Sequence, residues 1–471
     1  MKKRERTFWI CSVCVLLAFC TFTVFVNTAA TATFNQQPFP FMNKFISVFN
    51  AIKSDYVDAD KLDDKTLING AIKGMLDAIG DPYTVYLSEK DVKDLQTTTT
   101  GTFAGVGMII TEKDDYIGVI SPIEGTPAYR KGMKSGDLLI SVNGESLKGV
   151  SVSDAAEKLK GAPGTSANIE FLRDEVKYEV ELVRAIIDLP TVKHDVINNE
   201  IGYLRITQFS GTTDKHVKEA LLDFKSKKVK GIIMDLRMNP GGLLSSAISI
   251  VDFFQDKGTI VSTKGRRLKE QTVNSATSFN TIVAKDIPIV VLIDNGSASA
   301  SEIVSGALKD TKRGILVGEK SFGKGSVQSI QFLPDGTDGF KMTTAKYYTP
   351  SGVSIHGVGI EPDITIKEPE LNEEEREGLK KIYKDKVIEE FIKIHKNPTD
   401  KDIDSFLVNL KEKGYVFTDR MMRRLLKNTL DYENSSAPIY DLEYDIQLQK
   451  AMEILTDGSI VNNKGEYSLK K

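Results

Sequence analysis

The stretch PIVVLIDNGSASASEIV, from Pro288 to Val304, decides the fold of the central part of the chain. Its apolar run, residues 288–293, is typical of a buried strand. The small residues that follow, from Gly296 to Ser301, indicate a tight turn, and the apolar residues after Glu302 recur at the spacing of a helix. A strand that turns directly into a helix is characteristic of α/β proteins.

The same alternation continues on both sides of this stretch. Strands are predicted at residues 201–209, 231–236, 287–293, 315–317 and 340–348, and helices at residues 243–254, at 299–309 and in a segment that ends near 225. Strands that alternate with helices predict an α/β core, to which we assign residues 186–370.

Other patterns flank this core. Residues 35–95 have helical apolar spacing, which stops at Gly80-Asp81-Pro82-Tyr83, and the polar stretch 97–101 is predicted to be a hinge. Residues 96–185 alternate short β-like runs with turns, among them the tight-turn pair Asn143-Gly144. Residues 371–471 are charged and helical in period, which predicts a C-terminal helical segment.

The composition excludes several classes of protein. Among 471 residues, 27% are charged and 41% hydrophobic, which is ordinary for a globular protein, and the formal net charge of −3 gives no overall attraction to nucleic acid. All three cysteines, Cys11, Cys14 and Cys20, precede residue 21, and the four histidines form no metal-binding motif. We therefore expect no disulfide framework, no metal, no cofactor and no nucleic-acid partner.

The N-terminus has the pattern of an export signal or a membrane anchor. Four basic residues within the first six precede an uncharged run from Phe8 to Val26, and Ala30-Thr31-Ala32 offers a site for signal-peptide cleavage. A buried core helix is the alternative, but the basic flank and the terminal position oppose it. Because basic residues stay on the cytoplasmic side, residues 1–34 predict that the protein works outside the cytoplasm.

Two groups of residues could supply catalytic side chains. A serine at the strand-to-helix turn can project its hydroxyl into a cleft, although serine is also a preferred N-cap, so both interpretations of the cluster stay open. In Gly323-Lys-Gly-Ser-Val-Gln328, a desolvated lysine amine could take a proton from a serine, with Gln328 orienting it, or Lys324 could be a surface-turn lysine.

Rival catalytic patterns fit less well. A Ser-His-Asp triad would need one of four scattered histidines, and G-x-S-x-G fails around Ser299 because serines occupy the glycine positions. Ser321-Phe-Gly-Lys324 matches S-x-x-K, but the flanking glycines disfavour the helix which that motif needs.

At this point the sequence resembles the carboxyl-terminal processing (tail-specific) serine peptidases, over roughly residues 40–366. The motifs that carry the resemblance occur in the family's order: Asp81-Pro-Tyr-Thr-Val-Tyr-Leu87, Asp235-Leu-Arg-Met-Asn-Pro-Gly-Gly242, Ser297-Ala-Ser-Ala-Ser-Glu302, Gly323-Lys-Gly-Ser-Val-Gln328, Thr349-Pro-Ser-Gly352 and Gly357-Val-Gly-Ile-Glu-Pro-Asp363.

The resemblance implies roles for individual residues. Ser299 would be the nucleophile, Lys324 the general base and Gln328 its positioning partner. The backbone N–H groups of Ala300 and of Gly241 or Gly242 would form the oxyanion hole. The implied fold is a mixed α/β core of the crotonase/ClpP-like peptidase type, with an inserted PDZ domain and helical N- and C-terminal segments.

Residues 96–185 resemble a PDZ domain, through Gly125-Thr-Pro-Ala128 and Ser135-Gly-Asp-Leu-Leu-Ile-Ser-Val-Asn-Gly144. A peptide's terminal carboxylate would bind the backbone N–H groups of a glycine-rich loop, and the peptide would add as a strand beside residues 106–110. This loop consists of Phe103, Ala104, Gly105, Val106 and Gly107.

The sequence therefore predicts an exported or membrane-anchored serine endopeptidase that selects protein or peptide substrates by their accessible C-termini. The apolar residues Phe406, Leu407, Leu410 and Leu448 make a homodimer an expectation as well. A catalytically inert PDZ adaptor is the alternative, and an acyl-CoA enzyme with a crotonase-like core is a third interpretation. The intact serine, lysine, glutamine and glycine motifs oppose the adaptor, since a scaffold needs none of them.

Overall fold

The computed structural model describes residues 41–113, 115–266, 271–334, 336–433 and 438–470, and these form two compact units divided after Gly80. The first unit contains helix α1 (Met42–Asp55), a short 3₁₀ turn (Ala59–Lys61) and helix α2 (Asp64–Asp77). Asp63 caps α2 by accepting a hydrogen bond from the backbone N–H of Thr66 at 2.8 Å. The predicted export signal or anchor, residues 1–34, lies outside the described residues. Among the described helices, none has the length and apolar character needed to cross a bilayer.

The second unit begins with strand β1 (Val85–Leu87) and helix α3 (Glu89–Thr100). The predicted hinge at residues 97–101 is wrong in this respect, because the polar stretch is the last turn of α3. The hydroxyls of Thr97, Thr98 and Thr100 donate back to carbonyls four residues earlier, which lets threonine continue the helix. Gly101 then ends the helix in the left-handed conformation, φ 73°.

The region that resembles a PDZ domain is built around a five-strand path, β3-β4-β5-β7-β8, with β6 beside β5 and with β2 paired to β9 at its base. Leu139, Ile169 and Leu182 are fully buried in its own core. Strand β3 begins at Met108, later than predicted, because Val106 and Gly107 form a turn whose carbonyls accept hydrogen bonds from outside the strand. Its elements are β2 (Thr102–Gly105), β3 (Met108–Lys113), β4 (Tyr116–Pro122), α4 (Pro127–Arg130), β5 (Leu138–Val142), β6 (Glu145–Ser146), α5 (Val152–Leu159), β7 (Ser166–Arg173), β8 (Val176–Val183) and β9 (Ala185–Asp188).

The core that follows has two sheets. Its elements are β10 (Val192–Ile197), β11 (Ile201–Ile206), α6 (Thr213–Lys227), β12 (Gly231–Asp235), α7 (Leu244–Asp252), β13 (Thr259–Gly265), β14 (Thr272–Ser275), β15 (Ile289–Ile293), α8 (Ala300–Asp310), β16 (Ile315–Gly318), β17 (Ser326–Phe332), β18 (Gly339–Tyr348) and β19 (Ile364–Thr365). One sheet has the order β10-β11-β12-β15-β16-β19 and is parallel from β11 onward. The other has the order β1-β18-β13-β14, with β17 added to β18.

The two faces of the parallel sheet carry separate apolar layers. Helices α6, α7 and α8 pack on one face, where Phe224, Ile250 and Val304 are buried among alternate strand residues. The chain's last segment covers the other face. Strands buried on both sides read as continuous apolar runs rather than as alternating ones, which explains why residues 289–293 are all apolar. The predicted mixed α/β core with a PDZ domain and helical terminal segments is confirmed.

The C-terminal residues divide into two parts. Helices α9 to α12 share a small core of their own, whereas α13 and the hairpin β20-β21 pack on the parallel sheet. Leu407, Leu410 and Leu448 are buried inside the chain, so they form no surface for a dimer. The elements are α9 (Glu373–Lys384), α10 (Val387–Ile394), α11 (Asp400–Glu412), α12 (Asp419–Glu433), α13 (Ile446–Thr456), β20 (Ile460–Asn463) and β21 (Glu466–Leu469).

A buried ionic network fastens α13 to the end of β12. The Arg237 guanidinium lies 2.6 Å from the carboxylates of both Asp235 and Asp445, and the Tyr203 hydroxyl donates to Asp235 at 2.7 Å. Burial alone would raise the pKa of Asp235, but the hydrogen bonds and charge of Arg237 hold it below its usual value. Asp445 also caps α13 by accepting from the Leu448 N–H.

We expect Asp445→Ala to lower the free energy of unfolding by about 3 kcal/mol, because it removes a charged hydrogen-bond acceptor from a buried arginine together with a helix cap. Urea denaturation measures this change. Glu453→Ala, which removes an exposed ion pair from the same helix, should cost less than about 1 kcal/mol. Equal losses in the two variants would contradict the importance of the buried network.

Candidate active site

One cavity of about 640 Å³ opens in the second unit where loops from both sheets meet. Three neighbouring parallel strands, β12, β15 and β16, end beside it, and each is followed by a loop that carries one of the predicted motifs. Carboxyl ends of parallel strands are where α/β proteins place their ligands. The predicted site residues that line the cavity are Gly242, Ser299 and Gln328, and Phe209, Lys341 and Tyr347 are among the others.

The three serines of the cluster have different environments. Ser297 and Ser301 are fully buried, and their hydroxyls donate to the carbonyls of Leu236 at 2.8 Å and of Asn239 at 2.9 Å. Ser299 alone lines the cavity. Its backbone has φ 55° and ψ −111°, a conformation that side-chain-bearing residues adopt rarely and that is frequent at functional turns.

The glycine pair lies directly against the Ser299 turn. A side chain on Gly241 would place its Cβ 2.7 Å from the Ser299 Cβ, so only glycine allows this approach. The Gly241 N–H already donates to the side chain of Asn239 at 2.9 Å. In the part of the chain that the structure describes, neither the N–H of Gly242 nor that of Ala300 donates a hydrogen bond. Gly242 lines the cavity, so its N–H is available to a ligand there, and the Ala300 N–H lies at the start of α8, directly after Ser299.

Lys324 lies on the loop that follows β16, but within the described residues its amine forms no hydrogen bond with Ser299. The Lys324 Nζ is 4.7 Å from the centre of the Tyr83 ring, and among the described residues neither Ser299 nor Gln328 forms a hydrogen bond with it. The Gln328 amide instead donates to Ser326 Oγ at 2.9 Å and to Thr343 Oγ1 at 3.3 Å. Burial of the side chain lowers the pKa of the Lys324 amine below that of a free lysine, against the opposing charges of Glu302 and Asp81.

The buried carboxylate of Glu302 joins the serine turn to the lysine loop. It is fully buried and accepts hydrogen bonds from the backbone N–H of Ser299 at 2.8 Å, of Gly323 at 2.7 Å and of Lys324 at 2.8 Å. A fourth hydrogen bond, at 2.6 Å, comes from the hydroxyl of Ser321, which is therefore a structural residue and not the serine of an S-x-x-K site. Sequence reasoning assigned Glu302 no role, although an acid three residues after a cap serine is a capping-box signal.

Two aromatic residues that the sequence did not single out complete the surroundings of the lysine. The Asp81 motif brings Tyr83 under the Lys324 amine, and Asp81 itself accepts from Thr84 at 2.6 Å. Tyr347 is buried beside Ser299 and donates its hydroxyl hydrogen to the carbonyl of Lys324. Burial, followed by the charge of Glu302, raises the pKa of Tyr347 well above its ordinary value. This tyrosine therefore stays neutral and acts as a donor.

The predicted carboxylate-binding loop lies at the start of the edge strand β3. Phe103, Ala104 and Gly105 belong to β2 and pair with β9, whereas Val106 and Gly107 form the turn that leads into β3. On Gly107 a Cβ would lie 2.3 Å from that of Thr126, so the turn requires glycine, φ 82°. Since β3 ends the sheet, its outer side is open for another strand beside α5.

Comparison with known proteins agrees with these motifs. The family model "Peptidase family S41" matches residues 200–366, "Activating protease CtpB N-terminal domain" matches residues 25–91, and "PDZ domain" matches residues 118–173. A carboxy-terminal-processing protease of Bartonella bacilliformis is 40% identical over 74% of this chain and 81% of its own length. The carboxy-terminal processing protease CtpA of Bacillus subtilis is 35% identical over 79% of both chains. A solved structure named photosystem II D1 C-terminal processing protease is 28% identical over 70% of this chain and 94% of its own, with a TM-score of 0.41.

We expect Glu302→Gln to free the lysine loop, because the substituted amide group cannot accept all four hydrogen bonds that the carboxylate accepts. Loss of a hydrogen bond to a charged group corresponds to about tenfold or more in local opening. Hydrogen exchange measured on peptides that contain residues 321–326 should accelerate by that factor. Glu319→Gln, at the start of the same loop, is the matched control and should leave the exchange unchanged; unchanged exchange in Glu302→Gln as well would contradict the role assigned to the carboxylate.

Proposed function

Because this chain belongs to peptidase family S41, as a carboxy-terminal processing serine peptidase with a PDZ domain, we propose that it cleaves with a Ser299/Lys324 dyad outside the cytoplasm. One observation supports the proposed Ser299/Lys324 dyad most directly. Of the three serines in the cluster, only Ser299 reaches the cavity, and the buried Glu302 ties its backbone to that of Lys324. The inert adaptor is not favoured, because it would need no such arrangement.

The dyad requires one local movement. The Lys324 amine must leave the Tyr83 ring and turn toward Ser299, while its backbone stays in place on Glu302. A lysine side chain has rotatable bonds enough for this, and a desolvated amine near an uncharged hydroxyl is the form that can accept a proton. We propose that the bound substrate favours this rotation, with Gln328 as the residue that then orients the amine.

The chemistry then follows from the positions of the groups. The neutral amine of Lys324 takes the proton of the Ser299 hydroxyl as Oγ attacks the peptide carbonyl carbon. The ammonium then gives this proton to the leaving amine as the peptide bond breaks. Water, deprotonated by the same lysine, hydrolyses the acyl-enzyme and returns Ser299 to its starting state.

The oxyanion would be stabilised by the N–H groups of Gly242 and Ala300. Between the two glycines that the sequence offered for this role, Gly242 is the better donor, since it lines the cavity whereas the Gly241 N–H is occupied by Asn239. Gly241 contributes by its lack of a side chain, which lets the loop lie against the serine turn. One donor of this kind typically accounts for about 10²–10³ in rate.

Substrate selection is proposed to reside in the PDZ domain. A substrate's C-terminal carboxylate would bind at the turn of Val106 and Gly107, and its last residues would add as a strand to the open side of β3. Ile109 on that strand is 47% exposed and offers apolar contact. Main-chain hydrogen bonds would supply most of the affinity. Because the terminal carboxylate must reach this turn, the proposed substrates are proteins or peptides with accessible C-termini.

Location and assembly complete the proposal. Residues 1–34 have the pattern of an export signal or anchor, which would place the peptidase on the outer side of a membrane. A homodimer is proposed through α1, a helix without buried residues on which Met42, Ile46 and Val48 are exposed. A second copy of the chain would cover this apolar surface.

The dyad is tested by cleavage of an unfolded protein with a free C-terminal tail. Ser299→Ala and Lys324→Ala should each lower kcat/KM by at least about 10³-fold, because they remove the nucleophile or its base. Lys320→Ala is the control, since it changes an exposed lysine on the same loop that pairs with Glu361, and it should keep full activity. Cleavage that survives either dyad substitution would exclude this mechanism.

Tail recognition is tested with two substrates that differ only at their end. Amidation of the C-terminal carboxylate should raise KM by about tenfold or more, because a charge-assisted contact to backbone N–H groups is lost. The value of kcat should change less, since the scissile bond is the same. If both substrates gave equal KM values, capture of the carboxylate by the PDZ domain would be wrong.

A further inference from the structure

A second lysine, Lys341, faces the cavity from the strand pair β17-β18. In the register of this pair, Gln328 lies opposite Thr343 and Ile330 lies opposite Lys341. Alternate residues of a strand share one face, and Gln328, Ile330 and Lys341 all line the cavity. Lys341 is half-buried there, and within the described ranges its amine has no carboxylate within ion-pair distance and no hydrogen-bond partner.

An ammonium without a paired anion is uncommon for a lysine that is half-buried. Most charged groups that are removed from water are paired, and elsewhere in the described chain the half-buried Lys309 and the exposed Lys320 each have a carboxylate within 4 Å. The unpaired ammonium of Lys341 therefore suggests a functional role for its charge.

The charges that face the Lys324 amine come from several elements. Glu302 on α8 and Asp81 before β1 are negative and favour the ammonium form, whereas Lys341 on β18 is positive and opposes it. The other titratable side chains nearby are the phenols of Tyr83 and Tyr347 and the imidazole of His356, whose backbone packs against Gly325. After burial, the charge of Lys341 is the main influence that lowers the pKa of the Lys324 amine.

We propose that Lys341 is a positioning residue of this peptidase, whose unpaired ammonium offsets the negative charges of Glu302 and Asp81 and so keeps Lys324 in the neutral form that can act as a base. Lys341 lies opposite Val85 of β1, two residues beyond Tyr83, whose ring the Lys324 amine overlies, and like charges in a partly desolvated cavity repel each other more strongly than in water. Glu302 holds the two loops together through four hydrogen bonds, so the effect of its charge on the amine is offset by a second cation while the carboxylate stays in place. Lys341 supplies that charge without contacting the reacting atoms.

The inference rests on the proposed dyad and is tested by the pH dependence of kcat/KM with the full chain and a neutral peptide substrate. Activity should rise with pH as Lys324 loses its proton. In Lys341→Met the base lacks the repelling charge, its pKa rises, and the acidic limb of the profile should move to higher pH by about one unit. Below the limb, kcat/KM should fall by about tenfold, and at high pH it should equal that of the unsubstituted chain.

Three comparisons make the result decisive. Lys341→Arg keeps the charge and should leave the limb near its original position. Lys346→Met, which removes an exposed lysine from the same strand, should not shift it. Added salt at about 1 M, which shortens the screening length to about 3 Å, should reduce the difference between Lys341→Met and the unsubstituted chain.

Other outcomes overturn the inference. If Lys341→Met left the acidic limb in place and raised KM only for substrates with acidic side chains, Lys341 would be a specificity residue instead. If Lys341→Gln and Lys341→Met lowered kcat/KM equally at every pH, the role would be structural. Failure of the unsubstituted chain to cleave, or cleavage retained by Lys324→Ala, would remove the proposed dyad itself and is thereby distinguished from failure of this inference.

Discussion

The carboxylate of Glu302 is the interaction on which the site depends. Burying a charge costs several kcal/mol unless hydrogen bonds replace its water, and here four donors from two segments of the chain do so. Because the same two oxygens bind the Ser299 turn and the Lys324 loop, neither loop can move without exposing a buried charge. The backbone of Ser299, with φ 55° and ψ −111°, can be held in a strained conformation for this reason.

The carboxylate of Glu302 also opposes the use of Lys324 as a base. A carboxylate near the amine favours protonation, and Asp81 adds to that effect. Burial acts in the opposite direction, as does the cation of Lys341. The hydroxyl of Tyr347 satisfies the Lys324 carbonyl without adding charge. The balance among these groups, rather than any one of them, determines whether the amine is free to accept a proton.

The sequence predicted the frame better than the details. Continuous apolar runs such as residues 289–293 and the following helix were identifiable because burial on both faces leaves a strong signal. Strand β17, which carries Gln328, was not predicted, since Ser326 to Phe332 mixes polar and apolar residues and depends on pairing with β18. Helix α3 continues through its threonines because their hydroxyls donate to carbonyls of the preceding turn. Such hydrogen bonds leave no apolar periodicity in the sequence from which the helix could be predicted.

The sequence likewise predicted which residues form the site better than it predicted their contacts. Motifs identified Ser299, Lys324 and the glycines, because their chemistry requires particular residue types in a fixed order. The orientation of the Lys324 amine toward Tyr83 depends on rotamers and on a segment far away in sequence, which no local pattern encodes. Glu302 was overlooked because a capping acid and a buried structural carboxylate look identical in sequence, and only the tertiary approach of Gly323 and Lys324 distinguishes them.

The end of the chain also contributes to the geometry of the site. Asp445 forms an ion pair with Arg237, which in turn pairs with Asp235 at the end of β12. Two residues after Arg237, the side chain of Asn239 accepts a hydrogen bond from the Gly241 N–H. The Asn239 carbonyl accepts from Ala298 and Ser301 on either side of the nucleophile turn. The loop that would supply an oxyanion donor is therefore held between the serine turn and the C-terminal segment. Because both contacts are buried and fully hydrogen-bonded, the position of the glycine pair is set by residues of the last helix as well as by those of the cavity.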